Sequence, residues 1–594
     1  MWMREMCREF LQLSDVAKAP LSADYQRVLH QLQPFMDGLR FAREFIAVEL
    51  VLQSGKDGKS ECTDPDMLDT YAAILNEIAA KATTNAPMEA PVLTMKYASF
   101  MGVTLSTKRE LQAFTSLVAR NPFPNDNMCP IFGDNLDPVA MSQFLTTTLQ
   151  TKELSASRGG EGRRLMTPGK LHALTYFFST ANRHTLACFF SALPYAQSLQ
   201  TLRLMSMGGP TDWEWTNFEC YWLAYASFHP RSRTSSWTSL CALLAKMTDE
   251  AREALAGIQQ DPNRVLSVTR LAVVTDVVST SEARSDRLQI ATVGKDVTIY
   301  ARRSAQGGIL LILSEEAEFE MCDLFAQDWY CMLVPGYGFG WAQTSDVSAK
   351  RDWIPEGPLV SSLKDLEVPS TFTIEDALLV LSVFGSAADH LTLRQGCNSG
   401  SILEKMALRF PNLKSLELGT HGEQLSQHSL KRFFSQATGN LESLSIDYES
   451  CNAPVLLKIL SEWRDKPAVK RLKTLFLKNV RRRLCGPTEM ASLEAMLQAN
   501  RSLEHVYFQL NDAHCGWNMR TPGADLEKHN GEDIHHDRHM KQRLAFLSVV
   551  KQHRDAHRQH LALASTVLAR VFDFAIAPVR RIVHLPPAIK GFEA

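Results

Sequence analysis

The stretch Leu472-Lys473-Thr474-Leu475-Phe476-Leu477 has the apolar pattern LxxLxL, and this pattern decides the fold because it returns along the chain. Six copies lie between residues 363 and 510, with their second apolar positions at Leu366, Leu391, Leu416, Leu444, Leu475 and Val506. These positions advance by 25, 25, 28, 31 and 31 residues. Alternate side chains of a strand point to the same side, so each copy predicts a short strand with one face in a core.

Helical patterns occupy the segments between these strands. Leu430, Phe433, Phe434 and Ala437, for example, recur at the three- and four-residue spacing of an amphipathic helix. One strand-helix unit cannot bury its own apolar face, so the units must stack on one another. The sequence therefore predicts an α/β fold built from repeated units.

The repeated motif resembles the leucine-rich repeats of the ribonuclease-inhibitor type. That resemblance implies a solenoid, or horseshoe, in which the strands line a concave face and the helices a convex one. The clearest repeats fall within residues 349–512, and weaker copies are Leu199-Leu202-Leu204 and Val92-Met95-Tyr97. Residues 1–285 are predicted to be a helical, degenerate arm of the same solenoid with few clean strands.

Residues 286–348 interrupt the repeats with five short stretches rich in β-branched and aromatic residues, separated by Gly, Pro and Asp. Trp329, the turn Pro335-Gly336 and the pair Gly340-Trp341 make this segment similar to a bacterial-type Src-homology-3 domain. The resemblance implies a small all-β barrel. Two interpretations of its aromatic residues stay open. Tyr337 and Trp341, with Trp329 and Tyr330, either form a groove for a peptide or pack the barrel.

The C-terminal region divides into two predicted parts. Residues 513–540 form a His-rich loop, in which His535 and His539 have the spacing of zinc ligands on a helix or simply belong to a polar loop. Residues 541–594 return to helical patterns and are predicted to cap the open end of the solenoid. The stretch from Val567 to Phe574 resembles the latter part of an F-box.

Composition argues against several functional classes. The 63 Lys and Arg residues nearly balance 65 Asp and Glu residues, and the net charge of −2 gives no general reason to expect nucleic-acid binding. Charges interrupt the N-terminal segment, no apolar run is long enough to span a bilayer, and the 12 cysteines form no CxxC pair. These features predict a soluble, cytoplasmic protein with reduced thiols.

No motif with enzymatic spacing survives inspection. Gly58-Lys59-Ser60 has the end of a phosphate-binding loop, but position 53, where that motif needs Gly, is Gln. The glycines of the segment 336–340 lie between predicted strands, which indicates a tight hairpin and not a dinucleotide-binding turn. We therefore predict no catalytic residue, no cofactor and no metal site.

The residues between the buried positions should form two rows on the exposed strand face. The first row is Asp365, His390, Ser415, Ser443, Thr474 and His505, and the second row is Glu367, Thr392, Glu417, Ser445, Phe476 and Tyr507. Phe476 and Tyr507 should be neighbours beside Lys478, which is typical of an interaction hot spot. The alternative is that the C-terminal segment folds over and buries them. The partner-binding candidates are Phe476, Tyr507, Lys478, Glu417, Arg394, Tyr337 and Trp341.

The predicted function is that of a non-enzymatic scaffold which binds protein partners through the concave face of the repeats, with the barrel as a second candidate surface. One alternative is a ubiquitin-ligase substrate adaptor that uses the F-box-like helices of residues 541–594. A further alternative is regulation of a small GTPase, as in the related Ran GTPase-activating proteins, with Arg394 as the acting residue.

Overall fold

The computed structural model describes part of the chain. The described residues are 47–53, 94–120, 127–132, 136–149, 171–178, 183–206, 214–242, 246–261, 265–284, 289–324, 328–352, 359–369, 371–393, 403, 405, 410, 412–419, 426–436, 440–447, 453–480, 487–500, 502–510, 533–534, 579–580 and 582–584. The chain divides into two compact units, residues 1–387 and residues 388–594.

The first unit contains sixteen described strands and seven described α-helices. The strands are β1 Ala47–Gln53, β2 Thr94–Leu105, β3 Asn127–Phe132, β4 Ala173–Phe178, β5 Thr201–Ser206, β6 Glu214–Trp215, β7 Ser239–Ala242, β8 Lys246–Met247, β9 Gln289–Val293, β10 Thr298–Tyr300, β11 Ile309–Ile312, β12 Ala317–Met321, β13 Trp329–Val334, β14 Gly338–Gln343, β15 Val347–Asp352 and β16 Asp365–Val368. The helices are α1 Lys108–Arg120, α2 Pro138–Leu149, α3 Arg183–Ala192, α4 Asn217–Phe228, α5 Asp249–Gln260, α6 Val268–Val274 and α7 Ile374–Phe384.

A parallel sheet organises the first unit, in the order β1-β2-β3-β4-β5-β7-β16. Leu174, Leu202, Leu240 and Leu366 share one register across four of its strands, and all four are buried. Neighbouring parallel strands need a crossover, and described helices follow β2, β3, β4, β5 and β7. The N-terminal region therefore contains more strands than its sequence pattern predicted.

Side-chain caps fix where two of these helices begin. Thr216 and Glu219 form a capping box at α4, in which the Thr216 amide donates to Glu219 Oε2 at 2.8 Å. Thr373 and Asp376 form the same arrangement at α7. The Asp376 carboxylate also accepts from Arg252 Nε of α5 at 2.7 Å, so the cap ties two neighbouring helices together.

An antiparallel sheet forms the inserted segment, in the order β11-β10-β14-β13-β12-β9-β15. It has seven strands, because the first predicted stretch turns at Asp296 into β9 and β10, and the last one continues into β15. No pairing between β11 and β15 joins its two edges among the described residues, so the predicted barrel is observed as an open sheet. The sheet runs from Gln289 to Asp352, so it begins three residues after the start of the predicted segment and ends four residues after its end.

The antiparallel sheet has an apolar core of its own. Its fully or nearly buried members are Ala291, Val293, Ile299, Leu310, Leu313, Phe319, Met321, Met332, Val334 and Ala342. Gly336 and Gly338 have φ angles of 81° and 78° at the hairpin between β13 and β14. Residues other than glycine rarely adopt this left-handed backbone conformation, so the turn of the hairpin explains why both positions are glycine.

The second unit contains eight strands and four α-helices among its described residues. They are β17 His390–Leu393, β18 Ser415–Leu418, α8 Gln427–Gln436, β19 Ser443–Asp447, α9 Ala453–Glu462, α10 Pro467–Arg471, β20 Thr474–Val480, α11 Pro487–Ala499, β21 His505–Leu510, β22 Asp533–Ile534, β23 Val579–Arg580 and β24 Ile582–His584. The order β17-β18-β19-β20-β21-β24 is parallel throughout, and β22 pairs antiparallel with β23.

The LxxLxL positions of the second unit supply its core. The buried residues of this set are Ala388, Leu391, Leu393, Leu413, Leu416, Leu418, Leu441, Leu444, Ile446, Leu472, Leu475, Leu477, Leu503 and Val506. The helix residues Leu430, Phe433 and Phe434 are buried as well, as their spacing predicted. The mixed α/β fold with a parallel sheet is thus confirmed. The structure also adds β24, a strand that the sequence pattern did not indicate.

Candidate functional site

The two predicted rows lie in register on the sheet of the second unit. His390, Ser415, Ser443, Thr474 and His505 are Cα partners in successive strand pairs. Thr392, Glu417, Ser445, Phe476 and Tyr507 form the parallel second row. The leucines between them are buried, so both rows occupy the face that points away from the core.

Phe476 and Tyr507 form an aromatic stack within the second row. Their ring centroids lie 4.1 Å apart, and the ring planes differ by 5°. His505 of the first row lies 6.1 Å from the Tyr507 ring at an interplanar angle of 20°. Parallel neighbouring strands lie about 4.8 Å apart, which holds residues at the same register within stacking distance. Both aromatic rings are half-buried, so each keeps part of its surface accessible.

An ion pair lies beside the aromatic stack. Lys478 Nζ is 2.6 Å from Glu417 Oε1, and the two side chains are 31% and 38% exposed. Lys478 belongs to β20 and Glu417 to β18, so the pair reaches across the intervening strand β19. Ser445 of β19 is only 7% exposed, and its hydroxyl has no hydrogen-bond partner among the described residues. A small side chain at this position leaves room for the ion pair to cross the strand.

The row thus changes character along the sheet. In the second row, Thr392 is a small polar residue, and Glu417 is paired with Lys478, which lies outside the row on β20. Phe476 and Tyr507 end the row with aromatic surface. Four of the seven predicted partner-binding residues therefore lie together on β18, β20 and β21. Aromatic side chains with a polar surround are typical of the residues that carry protein–protein affinity.

Tyr337 and Trp341 lie elsewhere, in the antiparallel sheet of the first unit. Trp341 is only 6% exposed, and the Arg303 guanidinium lies 5.7 Å from its ring centroid. Tyr337 is half-buried and packs against the core of the sheet. Of the two interpretations that the sequence left open for Trp341, this burial favours packing over a peptide groove.

The hairpin that carries Tyr337 docks onto α3 within the first unit. Ser191 Oγ accepts from the Gly336 amide at 2.9 Å, and Cys188 Sγ donates to the Tyr337 carbonyl at 3.0 Å. A Cβ on Gly338 would lie 3.4 Å from Cys188 Sγ, so the helix approaches the hairpin closely. Burial raises the pKa of the Cys188 thiol to about 12. The thiol is therefore a neutral donor in this contact, and the hairpin is anchored.

A second anchor, which sequence reasoning missed, joins the antiparallel sheet to α4. The Tyr225 hydroxyl donates to Glu320 Oε2 at 2.9 Å, and His229 Nε2 lies 2.8 Å from Glu320 Oε1. Burial raises the pKa of Tyr225 well above its usual value, and the negative Glu320 raises it further. In the sequence, Glu318 and Glu320 alternate as two similar outward-facing residues of β12. No signal in the sequence shows that only Glu320 meets a helix.

The remaining predicted sites fall outside the described residues. Arg394, His535 and His539 are among them, and so are the helical patterns of 541–577. Of the segment 513–540, the structure describes only Asp533–Ile534. Within the described part of the chain, no three His, Cys, Asp or Glu residues cluster so that they could hold a metal ion. None of the described helices combines the length and the apolar character that crossing a bilayer requires.

Comparison with known proteins adds no relative. No protein-family model matches the chain, and no curated protein matches its sequence. The candidate site therefore rests on the geometry of the two rows.

Proposed function

We propose that this chain is a non-enzymatic interaction protein of the leucine-rich-repeat type, and that it binds a protein partner through the strand face of residues 388–510. Phe476 and Tyr507 form the centre of the contact, with Lys478 and Glu417 at its border. The repeat assignment is supported by the spacing of LxxLxL and by the parallel, in-register strands.

The observation that carries the proposal is the aromatic stack of Phe476 and Tyr507. The face opposite a sheet's core ordinarily carries polar residues, and aromatic residues there add contact area that the fold does not require. Each ring is only half-buried, so a partner that covers the stack removes further apolar surface from water. Stacked rings are also held in place by each other, which lowers the entropic cost of ordering them on binding.

The ion pair next to the stack fits the border of such a contact. Lys478 and Glu417 are partly exposed and already paired, so a partner does not have to desolvate an isolated charge. A polar rim around an aromatic centre is the usual arrangement of a protein–protein interface.

In this proposal, the antiparallel sheet is an Src-homology-3-like module with a structural role. Its hairpin is held by Ser191 and Cys188, and its strand β12 is held by Tyr225 and His229. The partner-binding role therefore falls to the repeat strands.

The test is recovery of partners from the native cell with a tagged full-length chain. We compare the unchanged chain with the double variant F476S/Y507S and with the control W463S. Trp463 is a half-buried aromatic residue of the same unit that follows α9 and lies outside the two rows. Partner recovery is normalised to folded protein, and the free energy of unfolding of each variant is measured in parallel.

We expect F476S/Y507S to lower recovery of at least one specific partner by ten-fold or more, whereas W463S leaves it unchanged. Loss of stability in F476S/Y507S with unchanged recovery would reject the proposal, because the stack would then serve only the fold.

A further inference from the structure

The two edges of the antiparallel sheet differ in how they are protected. Strand β15 at one edge exposes Ser348, Lys350 and Arg351. The Lys350 ammonium lies 3.5 Å from the Tyr330 ring centroid, and Arg351 pairs with Glu318 at 3.0 Å. Charged residues on an edge strand discourage another strand from pairing with it. The edge at β15 is therefore protected.

Strand β11 at the other edge has no such protection. Its side chains Ile309 and Ile312 are 56% and 55% exposed, although α2 lies near the strand. Its inner side pairs with β10, and no described strand pairs with its outer side. Exposed apolar side chains on an unpaired edge form a template for a further strand.

The charges at the two ends of β11 indicate what pairs there. Arg302 lies in the turn that joins β10 to β11, opposite Gly307, and Glu315 and Glu316 follow β11. All three are exposed, and none forms an ion pair with another described residue. The neighbouring Arg303 differs, because it pairs with Glu282 at 3.0 Å. One end of the edge is therefore basic and the other acidic.

This charge order is self-complementary. When two copies of β11 lie side by side in opposite directions, the start of each strand meets the end of the other. The turn that carries Arg302 in each copy then lies at the same end as Glu315 and Glu316 of the second copy, while the isoleucines of both strands cover one another. A two-fold symmetric contact repeats each of these interactions twice.

We propose that the chain forms a homodimer in which the β11 strands of two copies pair antiparallel and join their sheets. The strand has four residues, which corresponds to a contact of about 13 Å along its axis. Such a contact lies below the area of ordinary stable interfaces, so the dimer depends on protein concentration. The dimer contact and the proposed partner-binding face use different residues, so separate variants test the two proposals.

The test is sedimentation equilibrium of the full-length chain from about 1 to about 100 µM, at low and high salt. We expect a reversible monomer–dimer equilibrium that weakens in high salt. The variant I312K should weaken dimerisation ten-fold or more, since it places a lysine on the paired edge. The control S348K, an exposed position on the protected edge, should dimerise as the unchanged chain does.

Charge exchange distinguishes this geometry from any other dimer and leaves the isoleucines intact. R302E alone and E315R/E316R alone should each weaken self-association, because like charges then meet. A mixture of the two variants should form a heterodimer, since every facing pair is again of opposite sign. Two results would overturn the proposal: an unchanged chain that stays monomeric at 100 µM, or dimers that I312K and the single exchanges leave unaffected.

Discussion

The parallel strands of residues 388–510 and the antiparallel sheet of residues 289–352 are held together in different ways. In the parallel strands, each position repeats the task of the position one unit earlier, as Leu416, Leu444 and Leu475 do. In the antiparallel sheet, contacts such as Glu320 with Tyr225 occur once. A repeated contact can be read from spacing, whereas a single contact depends on which surfaces meet in the folded chain.

The largest effect is expected at a repeated core position. Leu475 is fully buried, and L475A should lower the free energy of unfolding by about 2–5 kcal/mol because it leaves a cavity. The control T474A changes the adjacent, half-buried residue on the other face and should cost about 0.5 kcal/mol or less. Denaturant unfolding of both variants measures the difference. Equal losses would contradict the assignment of the two faces.

The next effect concerns the single contact at Glu320. E320A removes the acceptor of Tyr225 and the partner of buried His229, so we expect a loss of about 1–3 kcal/mol. E318A is the matched control on the same strand. Its carboxylate pairs with Arg351 at the surface, and its loss should cost about 1 kcal/mol or less. If both variants lose the same amount, Glu320 does not anchor the sheet.

The pH dependence of stability tests the hairpin contact. Because the pKa of the Cys188 thiol is raised to about 12 from its usual 9.0, the folded chain retains a proton that the unfolded chain loses. The stabilisation that the protonated thiol contributes to the folded chain is present below pH 9 and is lost as the pH rises from 9 to 12.

Replacing Cys188 by Ala should therefore make the free energy of unfolding depend less steeply on pH in this alkaline range. The difference in slope should reach at most about 1.4 kcal/mol per pH unit. Urea unfolding at several pH values measures both slopes. If the free energy of unfolding depended on pH equally in the unchanged chain and in C188A, the Cys188 thiol would have the same pKa in the folded and unfolded chains.

The smallest effect is expected at the ion pair of the candidate site. K478A should lower stability by only about 0.2–1 kcal/mol, since both side chains of the pair are partly exposed. K458A is the control, because Lys458 forms a similar exposed pair with Glu462 within α9. Similar small losses in both variants would agree with a binding role for Lys478. A loss several times larger in K478A would mean that the pair is needed for the fold.

Sequence spacing was sufficient for the strands of residues 388–510, where leucine occupies most positions of the motif. Phe476 and Tyr507 occupy the same position in two successive copies of LxxLxL. Counting residues therefore predicts that they lie side by side on neighbouring parallel strands. The same logic missed β7, Ser239–Ala242, because the motif positions Trp237, Leu240 and Ala242 are all buried but carry residues of very different size. Burial there depends on neighbouring volumes, and these cannot be read from one segment alone.

Other features could not be predicted because they depend on long-range placement. Lys478 was expected near the aromatic residues, but its reach across β19 to Glu417 requires the small Ser445 between them. The burial of Trp341 and the strand β24 depend on elements far away in the sequence. In the same way, the sequence does not show that no described strand pairs with the outer side of β11.

We propose that the strand face with Phe476 and Tyr507 touches a partner protein. Photo-crosslinking in the native cell detects this contact, with the photoreactive amino acid placed at position 476 in one variant and at position 458 in another. Lys458 is exposed on α9, outside the two rows. We expect a specific crosslinked partner from position 476 and none from position 458. A partner crosslinked from position 458 and not from position 476 would contradict the proposal.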